Sequence, residues 1–320
     1  MKNVSIYKTV LPESTFFADL LANTSDYNEF TGKYQSSLHC PACSEKSLSS
    51  FGFNESEPFT LTPFGYTLNF KFEVKEIKST LINQVLNKEI QKRQAEGETV
   101  TRNKKMEIKE GILTDLATKA IAQDHFVHAH YHAKEELLLI DTSGDYYLAR
   151  ILNFLRTQLG SLKTTTLHVD DISNGLTKNV KECLEADLGL GFAGFSFGQK
   201  IVLENTDKDK ASFTGDYELS SVLDLIQQNY YIVKTSLHRD GLEFTLDDNL
   251  KISGIKLSET LKNQLEEQIV DEFGDGEQVD MLELKKSQAL LEQHTQVELL
   301  VGISNSLVDF FSQLNAAEAA

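Results

Sequence analysis

Four short stretches combine residue types and spacings that could do chemistry. His125, His128, His130 and His132 fall close together, and the last three alternate. On a strand they would share one face, where imidazole nitrogens could ligate a metal. No neighbouring cysteine or carboxylate completes a ligand set, so a solvated strand face without a structural metal is expected. Cys40-Pro41-Ala42-Cys43 is a single C-x-x-C. A redox site would want a helix start in a βαβ context, and a zinc site a second ligand pair. Neither is visible, so a loop or bare packing is expected. Gly189-Leu190-Gly191-Phe192-Ala193-Gly194 fits the dinucleotide fingerprint, which needs a helix after it. The segment from Phe195 to Leu203 reads as a strand, which favours a plain glycine loop. Asp141-Thr142-Ser143-Gly144 is close to the Asp-Thr-Gly turn of aspartic proteases, but Ser143 breaks the spacing and a helix N-cap turn is expected. Nucleophile elbows and phosphate-binding loops are absent. The expectation is a protein without catalysis, cofactor or metal.

Composition narrows the class. The chain has 320 residues, 40% of them apolar and 25% charged, with three cysteines. That length predicts two or three packed units. The sparse, odd cysteine set suits reduced thiols in a cytosol. No apolar run is long enough for a membrane helix, and the N-terminus has no signal-peptide core. The net charge of −17 should repel nucleic acid unless positive charge is segregated. Residues 76–122 carry nine Lys/Arg against seven Asp/Glu, whereas 241–320 carry five against sixteen. Charge alone favours a solvated helical pair on an acidic body.

The elements that must position these residues follow from periodicity. All four prolines lie in the first 63 residues, a region that reads as irregular and strand-rich. Thr60 to Val74 alternates, with Leu68, Phe70 and Phe72 on one face of a half-buried strand. Ser79 or Thr80 should cap a helix with Ile82, Leu86 and Ile90 in its stripe. After Gly97 a second helix is predicted from about Arg102 to Ala122, with Met106, Leu113, Leu116, Ala117, Ala120 and Ile121 in its stripe. The two make an αα-hairpin able to project and dock on a partner. Phe126 to Asp141 reads as one or two strands. A helix follows with Leu148, Ile151, Leu152, Leu155 and Leu159 on one face, stopped by Gly160. Thr164 to Val169 is β-prone, 176–186 helical, 195–203 and 230–256 strands, 257–270 helical and 271–280 an acidic loop. Val297 to Leu314 alternates between strand and helix character. The mixture is α+β with largely antiparallel strands.

The order of segments carries a resemblance. Ser79 to Ile90 (STLINQVLNKEI), Ile112 to Ile121 (ILTDLATKAI), Leu138 to Asp141 and Phe154 to Leu162 (FLRTQLGSL) occur in one fixed order. Met1-Lys2-Asn3, Pro41, Phe51-Gly52-Phe53, Ile232 to Leu237, Leu242-Glu243-Phe244 and the C-terminal Val297–Leu314 continue it. The chain resembles the bacterial RdgC family over nearly its whole length, most densely in 76–165.

The resemblance implies a horseshoe-shaped subunit with antiparallel sheets and a projecting helical hairpin. Two such subunits would form a ring-shaped homodimer that encircles duplex DNA without sequence preference. The ring would modulate recombination by limiting access of the RecA recombinase to DNA, in the cytoplasm at the nucleoid. Its parts would be 1–75 with 123–165, the hairpin 76–122 as a dimer contact, and 166–320. A basic lining in an acidic protein would resolve the charge paradox. Arg156 and Lys234 match basic family positions. Lys119 falls where the family has an arginine, and Ile121 where it has an aromatic that plugs the partner's pocket, with Leu116 beside it. The family's basic stretch in the second half falls at Asn205 and Thr206, with Lys208 and Lys210 standing in for it. The family's tryptophan after Leu237 is missing. The alternative is a DNA mimic or protein-interaction module on the same ring.

Overall fold

The structure is a computed structural model. It describes residues 1–28, 33–166, 172–185, 194–215, 218–248, 251–273 and 281–318. In chain order the elements are β1 (Asn3–Lys8), α1 (Ser14–Asn23), β2 (Ser25–Asn28), β3 (Lys33–Ser36), β4 (Ser49–Phe53), β5 (Phe59–Thr62) and β6 (Gly65–Lys75). The helices α2 (Ser79–Ala95) and α3 (Arg102–Ala117) follow, then β7 (Ala122–His132), β8 (Leu137–Ile140), α4 (Asp145–Leu159), β9 (Thr165–Thr166) and α5 (Ile172–Glu185). The last part is β10 (Ser196–Glu204), β11 (Lys210–Thr214), α6 (Leu219–Gln227), β12 (Tyr231–Arg239), β13 (Leu242–Asp247), β14 (Ile252–Leu257), α7 (Glu259–Phe273) and α8 (Met281–Glu318). The fold is α+β, as expected, and every strand pair whose register is defined is antiparallel. No described helix is long and apolar enough to cross a membrane.

The chain divides into two compact units. The first comprises 1–11, 61–66 and 129–320, and the second 12–60 and 67–128. In the first unit the strands run β11-β10-β12-β13-β14-β1-β8-β7. One face of this sheet is apolar because alternate residues point the same way. Ile201, Leu203, Ile232, Leu237, Phe244, Leu246 and Ile252 are buried there. Against them pack Leu176 and Val180 of α5, Val222 of α6, Leu265 of α7 and Val297, Leu300, Val301 and Leu307 of α8. The α8 positions recur at three- and four-residue steps, one stripe of a helix. The segment 297–314, whose sequence suggests both periods, is thus helical throughout. Helix α4 buries Leu148, Ile151 and Leu155, and Gly160 ends it at φ +73°, a conformation glycine adopts freely.

The second unit is built on aromatic packing. Phe51 stands opposite Phe72, and Phe53 opposite Phe70, across β4 and β6. Phe53 and Phe70 stack at 5.0 Å, and Phe17 of α1 meets Phe53 edge-on at 6.5 Å. The hairpin α2–α3 closes on its own small core of Leu86, Ile108 and Ile112.

Several expectations change. Helix α1 lies in the part expected to be irregular and strand-rich, and helix α6 falls in a stretch for which periodicity gave no expectation. The stretch 60–74 is not one half-buried strand: β5 ends at Thr62, β6 starts at Gly65, and Tyr66 to Phe70 are buried on both faces. The cap of α2 is Lys78, without a side-chain bond, and Ser79 is already helical. Helix α3 ends at Ala117, not Ala122, so Lys119 and Ile121 follow it. Its buried stripe is Ile108, Ile112 and Ala117, whereas Met106 stands 56% exposed. Of the acidic stretch 271–280, residues 271–273 belong to α7 and 274–280 lie outside the described residues.

Candidate nucleic-acid interface

The face of the first unit's sheet that points away from its apolar core is polar. Register and alternation place Lys210, Ser212 and Thr214 of β11 on it, with Lys200, Val202 and Glu204 of β10 alongside. Val202 stands opposite Lys234 of β12, and Lys234 opposite Asp247 of β13. Two residues further along β12, Ser236 aligns with Thr245, which aligns with Ser253 of β14 and then Asn3 of β1. A third row holds His238, Glu243 and Lys256. Lys200, Lys210, Ser212, Thr214, Lys234, His238 and Lys256 are all exposed. A row of small hydroxyl and amide side chains, buried at Ser236, therefore runs across four strands, and the row on either side holds one lysine and one carboxylate. Four residues of strand separate the outer rows, about 13 Å, comparable to the width of a B-DNA major groove.

Local sequence produces this surface. A bulge between Val202 and Leu203 shifts the alternation, so Ile232 and Thr235 both face the core and Lys234 faces out. At Gly198 a β-carbon would come within 2.7 Å of the Ser236 β-carbon, so only glycine allows the two strands this approach. On the opposite face Arg239 donates to Ser306 Oγ at 3.0 Å and covers the Phe195 ring at 5.2 Å. That arginine is committed to holding α8.

The predicted residues fall as follows. Lys234 and Lys210 lie on the polar face of the sheet, together with Lys200. Lys210 Nζ pairs with Glu204 Oε2 at 3.1 Å, so it must exchange a carboxylate for any phosphate. Lys208 sits at φ +68° in the β10–β11 turn, where Asn205 Oδ1 accepts from the amides of Asp207 and Asp209. Two aspartates thus flank its charge. Arg156 is exposed in the last turn of α4, where a cation also complements the helix dipole. Lys119 belongs to the second unit, exposed in the turn after α3, its amide donating to Leu116 O. Ile121 is 86% exposed, so it does not pack inside its own hairpin. Leu116 is half-buried against the hairpin core. Lys200, Lys256 and the hydroxyl stripe were not expected from sequence. Alternation along 195–203 could have placed Lys200, since Ile201 and Leu203 must face the core.

The other chemical candidates resolve differently. The histidine face is not solvated: His130 is fully buried and His132 is 6% exposed. Period-two spacing gives a shared face but not which face is covered. His128 Nδ1 donates to Asn69 Oδ1 at 2.8 Å. His130 Nε2 meets Gln293 Nε2 at 3.4 Å, and His132 Nε2 meets Glu298 Oε1 at 3.5 Å. Cys40 and Cys43 lie in a loop as free thiols. Burial pushes the Cys40 thiol up, the opposite of an activated nucleophile. Residues 189–193 of the glycine motif lie outside the described residues, and the strand β10 follows them. The Asp141–Gly144 turn leads into α4, with Gly144 as cap and Thr142 Oγ1 accepting from its amide at 3.1 Å; no side chain caps the helix. Among the described residues, no three His, Cys, Asp or Glu side chains are grouped to hold a metal ion.

Fold and face together define an α+β protein whose antiparallel sheet presents a polar surface of interleaved lysines and carboxylates. A family model described as "Putative exonuclease, RdgC" matches residues 29–293. The chain is 24% identical over 322 residues to the recombination-associated protein RdgC of Shewanella loihica, covering 96% of this chain and 99% of that protein. It is 29% identical over 173 residues to the protein of that name from Neisseria meningitidis serogroup C, covering 51% and 53%. With the Proteus mirabilis protein of that name it shares 26% over 198 residues, covering 60% and 64%. The chain belongs to the RdgC family.

Proposed function

We propose that the protein binds double-stranded DNA of any sequence through phosphates. In this reading a homodimer closes a ring around the duplex and modulates recombination by limiting access of a RecA-type recombinase, in the cytoplasm at the nucleoid. The observation that carries it is the exposed face with Lys200, Lys210, Lys234 and Lys256 about a hydroxyl stripe. Arg156, Lys208 and Lys119 add contacts, and Ile121 with Leu116 serves the dimer contact. In this reading the parts are 1–75 with 123–165, the hairpin 76–122 as a projecting dimer contact, and 166–320. Family membership supports the assignment, because the relatives are named recombination-associated proteins. No catalytic step and no cofactor enter the reading. Contacts made to phosphates carry no sequence information, so sequence preference is weak.

A second reading, a DNA mimic or protein-interaction module, is favoured by one observation. Glu204, Glu243 and Asp247 interleave with the lysines in a chain of net charge −17. One experiment separates the two. Complexes loaded at low salt on a closed circular plasmid and on the same plasmid linearised are moved to high salt. Encirclement predicts persistence on circles and loss from free ends. Absence of duplex binding even at low salt, with direct binding to a recombinase, establishes the mimic instead.

A further inference from the structure

We infer that the exposed face of α4 binds unpaired DNA bases, with Tyr146 and Arg150 as a stacking platform and Arg156 and Lys163 as phosphate contacts beyond it. With a duplex on the lysine face as proposed above, the preferred ligand is then a duplex that carries a single-stranded tail. That second step rests on the proposed duplex contact, and the first does not.

The sequence of α4 sets this face apart. Residues 146–169 hold Arg150, Arg156 and Lys163 and no Asp or Glu, in a chain whose acidic residues outnumber the basic ones 48 to 31. Leu148, Ile151 and Leu155 are buried on one stripe of the helix. The opposite side leaves Tyr146, Ala149, Arg150, Asn153 and Arg156 exposed, and Lys163 is exposed just past the Gly160 stop. Among the described residues none of these cations pairs with a carboxylate, whereas Lys210 on the sheet pairs with Glu204. Their charge is therefore open to an anion without the exchange that Lys210 requires.

The aromatic ring decides which kind of polyanion fits. The Arg150 guanidinium lies 4.8 Å from the Tyr146 ring centroid, one helical turn along. Tyr147 meets the same ring edge-on at 5.3 Å. The ring plane is thus held while Tyr146 stays 44% exposed. Phosphates alone call for no ring. A duplex keeps its bases stacked on one another, whereas an unpaired base offers a free π-face to a ring or a guanidinium. The Asn153 amide on the same side adds a donor and an acceptor for a base edge. The helix also starts beside the polar face of the sheet. Ser5 and Tyr7 of β1 share the face of Asn3 by alternation, and Asn3 ends the hydroxyl row. Ser5 Oγ donates to Thr142 O at 2.9 Å, and burial followed by the Asp145 charge pushes the Tyr7 phenol up. A strand leaving a duplex on the sheet has α4 beside it, in the same unit.

The test is fluorescence anisotropy of the full chain at physiological salt. The labelled probes are an oligothymidylate, a blunt duplex, the same duplex with a thymidine tail, and the same duplex with an abasic tail that keeps the phosphates and lacks the bases. The thymidine tail should raise affinity over the blunt duplex at least about 10-fold, and the abasic tail should not. Arg150→Gln and Tyr146→Ser, each checked for the parent melting temperature, should remove that gain and weaken oligothymidylate binding, with the blunt duplex bound as before. Lys200→Glu with Lys234→Glu should do the reverse, so failure of the duplex reading and failure of this one are told apart. Oligothymidylate bound by the parent and released by Arg150→Gln upholds the α4 contact even where no blunt duplex binds. Equal affinity for tailed and blunt duplexes, an abasic tail as good as a thymidine tail, or a tail gain untouched in both α4 variants would overturn it.

Discussion

Ile121 stands 86% exposed just ahead of β7, and a side chain so placed adds little to its own fold. If it fills a partner's pocket, each copy removes apolar surface worth about 2 kcal/mol from water. Ile121→Ser should leave the melting temperature unchanged and weaken the dimer in sedimentation; an unchanged dimer with a lower melting temperature would contradict this. Lys208 separates stability from binding in the opposite sense. Its left-handed backbone costs a non-glycine residue roughly 1 kcal/mol, so Lys208→Gly should raise stability by about that amount and lower duplex affinity. Two histidines set a pH dependence. Burial holds His39 and His294 below the ordinary value of 6.5, against the opposing pull of Glu55 and Glu298. Below that value the unfolded chain takes up protons that the folded chain refuses. Their contribution is therefore full above about pH 6.5 and is lost as pH falls through the depressed values. Urea midpoints should drop between about pH 7.5 and pH 5.5, and His39→Leu with His294→Phe should flatten that drop. At this scale sequence was only partly informative. Lys200 reaches the polar face by plain alternation with Ile201 and Leu203, whereas Lys234 reaches it only through the bulge beside Val202, which the sequence does not announce. The histidine spacing showed a common face, while its burial depended on α8, far away in the chain.

Elements were legible where one period dominates. Helix α4 could be read from Leu148, Ile151 and Leu155 and its glycine stop, because the stripe and the end signal agree. The hairpin was legible in α2, yet α3 was extended too far: Ala120 and Ile121 continue the apolar pattern after the backbone has turned at Thr118. The last helix was ambiguous because Val297, Leu299, Leu300, Val301 and Ile303 crowd both periods, and only packing on β12–β14 decides between them. Helix α1 was hidden by the prolines around it. The hairpin core is small, three buried side chains with partly buried neighbours. Ile112→Ala should cost about 2 kcal/mol there and raise amide exchange in α2 and α3 first. Uniform acceleration across the sheet as well would show that the hairpin does not unfold by itself.

For the whole molecule the proposed function raises the question of how a chain of net charge −17 would hold a polyanion. Segregation answers it only in part: Lys200, Lys210, Lys234 and Lys256 share one sheet face with Glu204, Glu243 and Asp247, while 241–320 carries sixteen acidic residues against five basic. The acidic body opposes long-range attraction, so binding depends on close phosphate contacts. About four contacts per subunit in a dimer would give a log–log salt slope approaching roughly −7. The most direct test is that slope, measured by anisotropy on unrelated duplexes, for the parent and for Lys200→Glu with Lys234→Glu. The face account predicts a steep slope for the parent, equal across sequences. For the variant it predicts weaker binding with a slope shallower by about 3 to 4, because each subunit then neutralises about two fewer phosphates. An identical slope and affinity in the variant would contradict it.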